Sequence, residues 1–211
     1  MMFKQYAPGL VIAALLLGAG FYYSKYLDSG FIEEVPGTDR GVVKGYDYND
    51  LRLVPLDEKA LKYYLKGEIE LALQTYDKII ARAENEPNAH YGRGVCLLFL
   101  QNLDEAEKSF RRALELAPNT PPALVGMGSV ESWRDNSEKS IEYYKQALTV
   151  WPNYAVAHEF VADEYFRIEQ YDLAQVHYKK VTELIPGTET AEASQRQIDV
   201  IKMNRDNKPG S

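Results

Sequence analysis

Two short stretches of this sequence have the composition of a phosphate cradle, Gly92-Arg93-Gly94 and Gly126-Met127-Gly128. A dinucleotide loop needs three glycines as G-x-G-x-x-G after a strand, so that backbone N–H groups can approach a pyrophosphate. Here Leu97 and Glu131 stand at the third glycine, and neither stretch follows a strand-like run. Both read as packing glycines inside helices. The three histidines, His90, His158 and His177, are scattered along the chain and with a single cysteine make no zinc-ligand spacing. His90 and His158 read as core-edge residues, and His177 as an outer-face residue with no obvious partner. Cys96 lies between apolar stretches and reads as a small buried hydrophobe rather than a nucleophile. Glu33 and Glu34 read as a solvated pair. No catalytic residue, metal ligand or cofactor site is assigned, and the chain reads as a non-enzyme.

Charge narrows the partners. There are 31 acidic residues against 24 Lys and Arg, a formal net charge of −7, which disfavours an electrostatic grip on nucleic acid. At 45% hydrophobic residues the composition is ordinary for a folded protein.

The elements that must position any functional residue fall into distinct regions. Ala7 to Tyr23 carries no charge and is bracketed by Lys4 and Lys25. Extended to Leu27 it would make roughly 30 Å of helix, close to one bilayer core. Phe21, Tyr22, Tyr23 and Tyr26 would form an interfacial aromatic belt. Residues 1–27 are therefore expected to be a transmembrane anchor. The alternatives are a signal peptide, with Gly18-Ala19-Gly20 as small residues for cleavage, and a buried helix of the soluble domain. Residues 28–52, with Gly30, Pro36, Gly37, Gly41 and Gly45, lose all helical or strand period and read as a tether.

Beyond the tether the chain repeats. Ala106, Phe110, Ala113 and Pro118 recur 34 residues later as Ser140, Tyr144, Ala147 and Pro152, and again as Ala174, Tyr178, Val181 and Pro186. Upstream, Ala72, Tyr76 and Ile79 fill the same places, with Glu84 instead of the proline. The earlier half of each unit repeats too, with Ala60, Gly94, Gly128 and Ala162 as its small residues. Four units tile 53–86, 87–120, 121–154 and 155–188 without a gap.

These positions resemble the tetratricopeptide repeat (TPR), over about two thirds of the chain. The large apolar residue expected at unit position 11 is met except at Glu131. The resemblance implies an all-α, right-handed solenoid of four helix-turn-helix units in which each unit buries its apolar face against its neighbours. Small residues let paired helices approach, and the recurring proline ends each second helix. Thr120 before Pro121 and Pro122 reads as a helix cap. Residues 189–211 supply a closing helix to about Arg205, with Ala191, Ser194, Ile198 and Ile201 on its inner face, and a disordered tail.

A repeat fold places function without naming it. Positions 2, 5, 9 and 12 of each first helix are expected on the concave side, where Tyr64, Tyr91, Leu98, Val125 and Phe166 would offer apolar contact and Asp57, Glu159 and Asp163 negative charge. Cochaperone members of the family hold the acidic C-terminus of heat-shock proteins with Lys, Asn and Arg on these helices. Here Asp57, Leu61, Tyr91, Val125 and Glu159 stand there, so that use is not implied. The surface suits an amphipathic or extended apolar protein segment. The expected function is a membrane-anchored scaffold or adaptor, a subunit or assembly factor of a membrane complex. The expected location is the cell membrane, single-pass, with the repeats on the periplasmic side. The alternative is an exported soluble binding module or chaperone-like holdase.

Overall fold

The computed structural model describes residues 54–206. The anchor expected at 1–27, the tether at 28–52 and the tail past Asp206 lie outside the described residues. Among the described residues there are nine α-helices and no strand: α1 Val54–Leu65, α2 Ile69–Ile80, α3 Pro87–Phe99, α4 Leu103–Leu116, α5 Pro121–Trp133, α6 Ser137–Val150, α7 Ala155–Arg167, α8 Tyr171–Leu184 and α9 Glu189–Asp206. None of them is long and apolar enough to cross a membrane. The fold is an all-helical, TPR-like solenoid. It divides into two compact units, the first ending at Val130 and the second beginning at Glu131, so that the division falls inside α5.

The helices begin and end where local chemistry directs. Pro87 opens α3 at a first-turn position, where its missing N–H costs nothing, and the Glu86 carboxylate accepts the Asn88 N–H at 3.4 Å. The cap expected at Thr120 works differently. Its hydroxyl donates backward to the Ala117 carbonyl at 2.7 Å, while its own carbonyl accepts the Ala123 and Leu124 N–H groups. Pro121 and Pro122 have no N–H to satisfy, so the side chain is free to tie down the preceding turn.

Four turns follow one pattern. Gly67, Gln101, Asp135 and Glu169 are all left-handed, with φ of 77°, 58°, 58° and 61°. Each donates its N–H three residues back, and the next residue donates five back: Glu68 to Tyr63, Asn102 to Leu97, Asn136 to Glu131 and Gln170 to Tyr165. This Schellman arrangement satisfies carbonyls that a helix end leaves unpaired.

In the first unit, α1 packs on α2, α2 on α3 and α3 on α4. Glycine sets the spacing. A Cβ on Gly94 of α3 would lie 2.7 Å from the Phe110 ring of α4, and one on Gly126 of α5 would lie 2.5 Å from the same ring. A Cβ on Gly92 would lie 2.2 Å from the Tyr76 ring of α2. Phe110 is fully buried, clasped by a glycine of its own hairpin and one of the next. Between the first pair of glycines, Arg93 donates to Asp77 of α2 at 2.9 Å and to Ser109 of α4 at 2.6 Å, tying three helices together.

In the second unit, α6 packs on α7, α7 on α8 and α8 on α9. Tyr144 meets Phe160 with ring centroids 5.5 Å apart. The closing helix buries Ala191, Ser194, Ile198 and Ile201, as its pattern implies.

Gly126→Ala is expected to destabilise the protein by about 1–3 kcal/mol, because the new methyl must displace a fully buried ring. Gly67→Ala is a control for backbone strain alone, since nothing lies within 4 Å of its Cβ position. Urea unfolding followed by circular dichroism measures both; equal, small effects would mean that the Phe110 contact does not limit packing.

Candidate functional site

The 3.6-residue period brings Val156, Glu159, Asp163 and Phe166 onto one face of α7. All four are half-buried. Phe166 stands edge-on to Tyr171 of α8, ring centroids 5.3 Å apart. Asp163 accepts a hydrogen bond from the Tyr178 hydroxyl of α8 at 2.6 Å. Glu159 lies one turn away, and its Oε2 is shielded from solvent with no hydrogen-bond partner among the described residues. Burial, then the Asp163 charge, raises the Glu159 pKa above the ordinary 4.5. Burial likewise raises that of Asp163, opposed by the Tyr178 hydrogen bond and assisted by the Glu164 charge.

The opposite flank of α7 is held by a fully partnered carboxylate. Glu164 is 4% exposed, accepts from Arg167 at 2.6 and 3.1 Å, and accepts the Ser132 hydroxyl of α5. Arg167 also lies 3.5 Å from Asp135, the left-handed residue of the α5–α6 turn. The departure at Glu131 is accommodated in the same turn. It is buried, accepts from the Asn136 amide at 3.1 Å, and lies 3.7 Å from Arg134.

His177 has a partner that the sequence did not reveal. Its Nδ1 lies 2.9 Å from Nδ1 of His158, whose Nε2 is 2.9 Å from the Pro152 carbonyl. A carbonyl only accepts, so His158 carries its proton on Nε2 and accepts at Nδ1 from His177. Burial lowers the pKa of both rings, that of His177 to about 4, with the His158 and Lys145 charges adding to the effect there. The pair is a neutral strut between α7 and α8. It borders a depression of about 330 Å³ lined by Val176, Lys179, Lys180 and Glu183. Among the described residues no group of three His, Cys, Asp or Glu could hold a metal ion. Cys96 is buried, and burial raises its thiol pKa to about 12, so the inert reading fits.

The first unit treats the same register positions differently. Tyr64 and Tyr91 are 5% and 8% exposed, packed against Phe99 and Phe110 with centroids 6.4 and 6.0 Å apart. Leu98 and Val125 are 1% and 0% exposed. The expectation that these four present a contact surface is corrected: they are interior. Asp57 lies on α1, and its side chain is outside the described residues.

Residues 57–199 match the family model described as the Cilia and flagella-associated protein 70 middle TPR-like domain. The chain belongs to this TPR-like family. No curated protein sequence matches it. Among solved structures, a crystal structure of MamA is similar at TM-score 0.59 and 19% identity, over 70% of this chain and 84% of that one. YrrB, described as a TPR protein with an unusual peptide-binding site, is similar at 0.55 and 21%, over 74% and 79%. The first TPR of Spaghetti (RPAP3), bound to the HSP90 peptide SRMEEVD, is similar at 0.52 and 20%, over 56% and 93%. At these identities the likeness shows the fold.

The TPR register also indicates what sequence reasoning missed. Glu164 occupies the unit position of Cys96, already read as buried, which signals that a carboxylate there needs a partner. Its partners Arg167 and Ser132 lie one turn and 32 residues away.

Arg167→Ala is expected to cost about 3 kcal/mol by stranding the buried Glu164 charge, with part recovered in Arg167→Ala/Glu164→Gln; thermal melts of both check this. Glu159 provides a pH test. A carboxyl with a raised folded pKa holds its proton in the folded state after the unfolded chain has lost it, so stability falls as pH rises above its ordinary value of 4.5. Melting temperatures measured from about pH 5 to 8 should show this fall, and Glu159→Gln should reduce it, leaving the part due to Asp163.

Proposed function

We propose that this chain is a membrane-anchored TPR adaptor, a protein-interaction module that serves as a subunit or assembly factor of a membrane complex. The observation that carries the interaction reading is the half-buried face Val156, Glu159, Asp163 and Phe166 on a TPR scaffold with no assigned catalytic group. Its partner would be a protein segment laid along α7 with apolar side chains against Val156 and Phe166. Two of the structural neighbours are described by the peptides or peptide site they carry, which supports a peptide-binding use of the fold.

The anchor rests on the sequence of residues 7–27, uncharged from Ala7 to Tyr23. The small residues Gly18-Ala19-Gly20 support the second reading, an exported soluble module or holdase freed by cleavage.

The full chain is expected to stay with membranes through a carbonate wash and to keep its N-terminal residues by intact mass. Loss of about the first 20 residues would instead establish the exported form. Phe166→Ala should weaken recovery of the co-purifying partner in mild detergent, by about 2 kcal/mol if the aromatic is a central anchor. Unchanged recovery would move the interface off α7.

A further inference from the structure

We propose that Glu159 and Asp163 form the receptor for one arginine or lysine of the partner segment, flanked by apolar side chains that rest on Val156 and Phe166. The proposal rests on the interaction-module reading above and specifies the chemistry of what binds there. Its starting point is the Glu159 carboxyl, whose Oε2 is shielded from solvent and meets no donor among the described residues. Buried acceptors are nearly always paired, so an orphan on an otherwise well-bonded helix calls for a partner. Asp163, one turn along, has one oxygen engaged by Tyr178. Among the described residues, the charges that raise the two carboxyls are those of Asp163 and Glu164, both acidic.

The neighbouring cations have other roles. Arg167 is bound to Glu164 and Asp135, Lys145 lies 5.4 Å from the centre of the Tyr165 ring, and Lys180 borders the His158–His177 depression. Carboxylates one helical turn apart are about 5–6 Å apart at Cβ, a separation that the fork of a guanidinium can bridge. Enclosed acid–base chemistry is a poorer fit. Neither the depression beside His177 nor one of about 430 Å³ bordered by Tyr171, Ile201 and Arg205 includes either carboxylate.

The test selects short random displayed peptides on the full chain, then resynthesises the best binder with each arginine replaced by citrulline and each lysine by norleucine. The selected peptides should carry a basic residue between apolar ones, and its neutralisation should weaken binding about tenfold or more. The same neutralisation should change little on the Glu159→Gln/Asp163→Asn chain, provided its helicity and melting are retained. The single Glu159→Gln variant, which leaves the Tyr178 bond in place, gives the same comparison. Equal losses on wild type and variant, or no loss on wild type, would overturn the receptor. Binders without a basic residue would also overturn it while leaving the interaction module standing, and failure to select any peptide would overturn both.

Discussion

The close approach of aromatic rings to helix backbone is the constraint on which the first unit depends. Phe110 lies where a side chain on either Gly94 or Gly126 would have to be, and Tyr76 stands over Gly92 in the same way. Each ring fills space that glycine vacates, so the distance between neighbouring helices is set by ring thickness rather than by interdigitated side chains. The first glycine of each pair, Gly92 or Gly126, receives the ring of the preceding hairpin. Gly94 receives that of its own. The G-x-G spacing of Gly92 and Gly94 that looked like a phosphate cradle is thus the imprint of two different helix contacts on opposite faces of α3. Arg93, between two such glycines, uses the same proximity to reach Asp77 and Ser109 at once.

That constraint is also why the fold was legible. Close contacts demand small residues at fixed positions, proline can stand only in a helix's first turn or past its end, and the small residues and the helix-ending prolines recur every 34 residues. The turns were less legible. Four left-handed residues also recur every 34 positions, but only Gly67 has the expected type, while Gln101, Asp135 and Glu169 accept the left-handed strain, about 1–2 kcal/mol per residue. The two hydrogen bonds that close each turn, and in one case the Arg167 contact to Asp135, offset that strain. Composition alone does not signal such a turn, because the stabilising groups are backbone carbonyls.

Depth of burial was the weaker part of the site reading. Register tells which face of a helix a residue occupies, not whether that face is already filled. Tyr64 and Tyr91 are drawn inside by Phe99 and Phe110, residues of other helices, and no pattern within α1 or α3 announces it. His177 was read as unpartnered for the same reason, since His158 lies on α7 and the pairing needs the α7–α8 packing angle. Glu164 draws its proton donors from both the next helical turn and the preceding hairpin.

The distinction between the two units then follows from residue type at equivalent positions. At unit position 5 the second repeat carries Tyr91 and the fourth Glu159; at position 9 they carry Val95 and Asp163. Tyr91 and Val95 lose nothing by burial and serve the core. A carboxylate in the same place resists burial, because its charged form must give up water, and Tyr178 supplies a donor to only one of the two acids. The α7 face therefore sets two acids where α3 sets core residues, and the proposed receptor would answer them with positive charge. With seven more acids than bases along the whole chain, the long-range field points the same way and would draw a basic segment toward the protein before any contact forms. In the proposed receptor, Val156 and Phe166 would favour a cation that hydrophobic side chains flank.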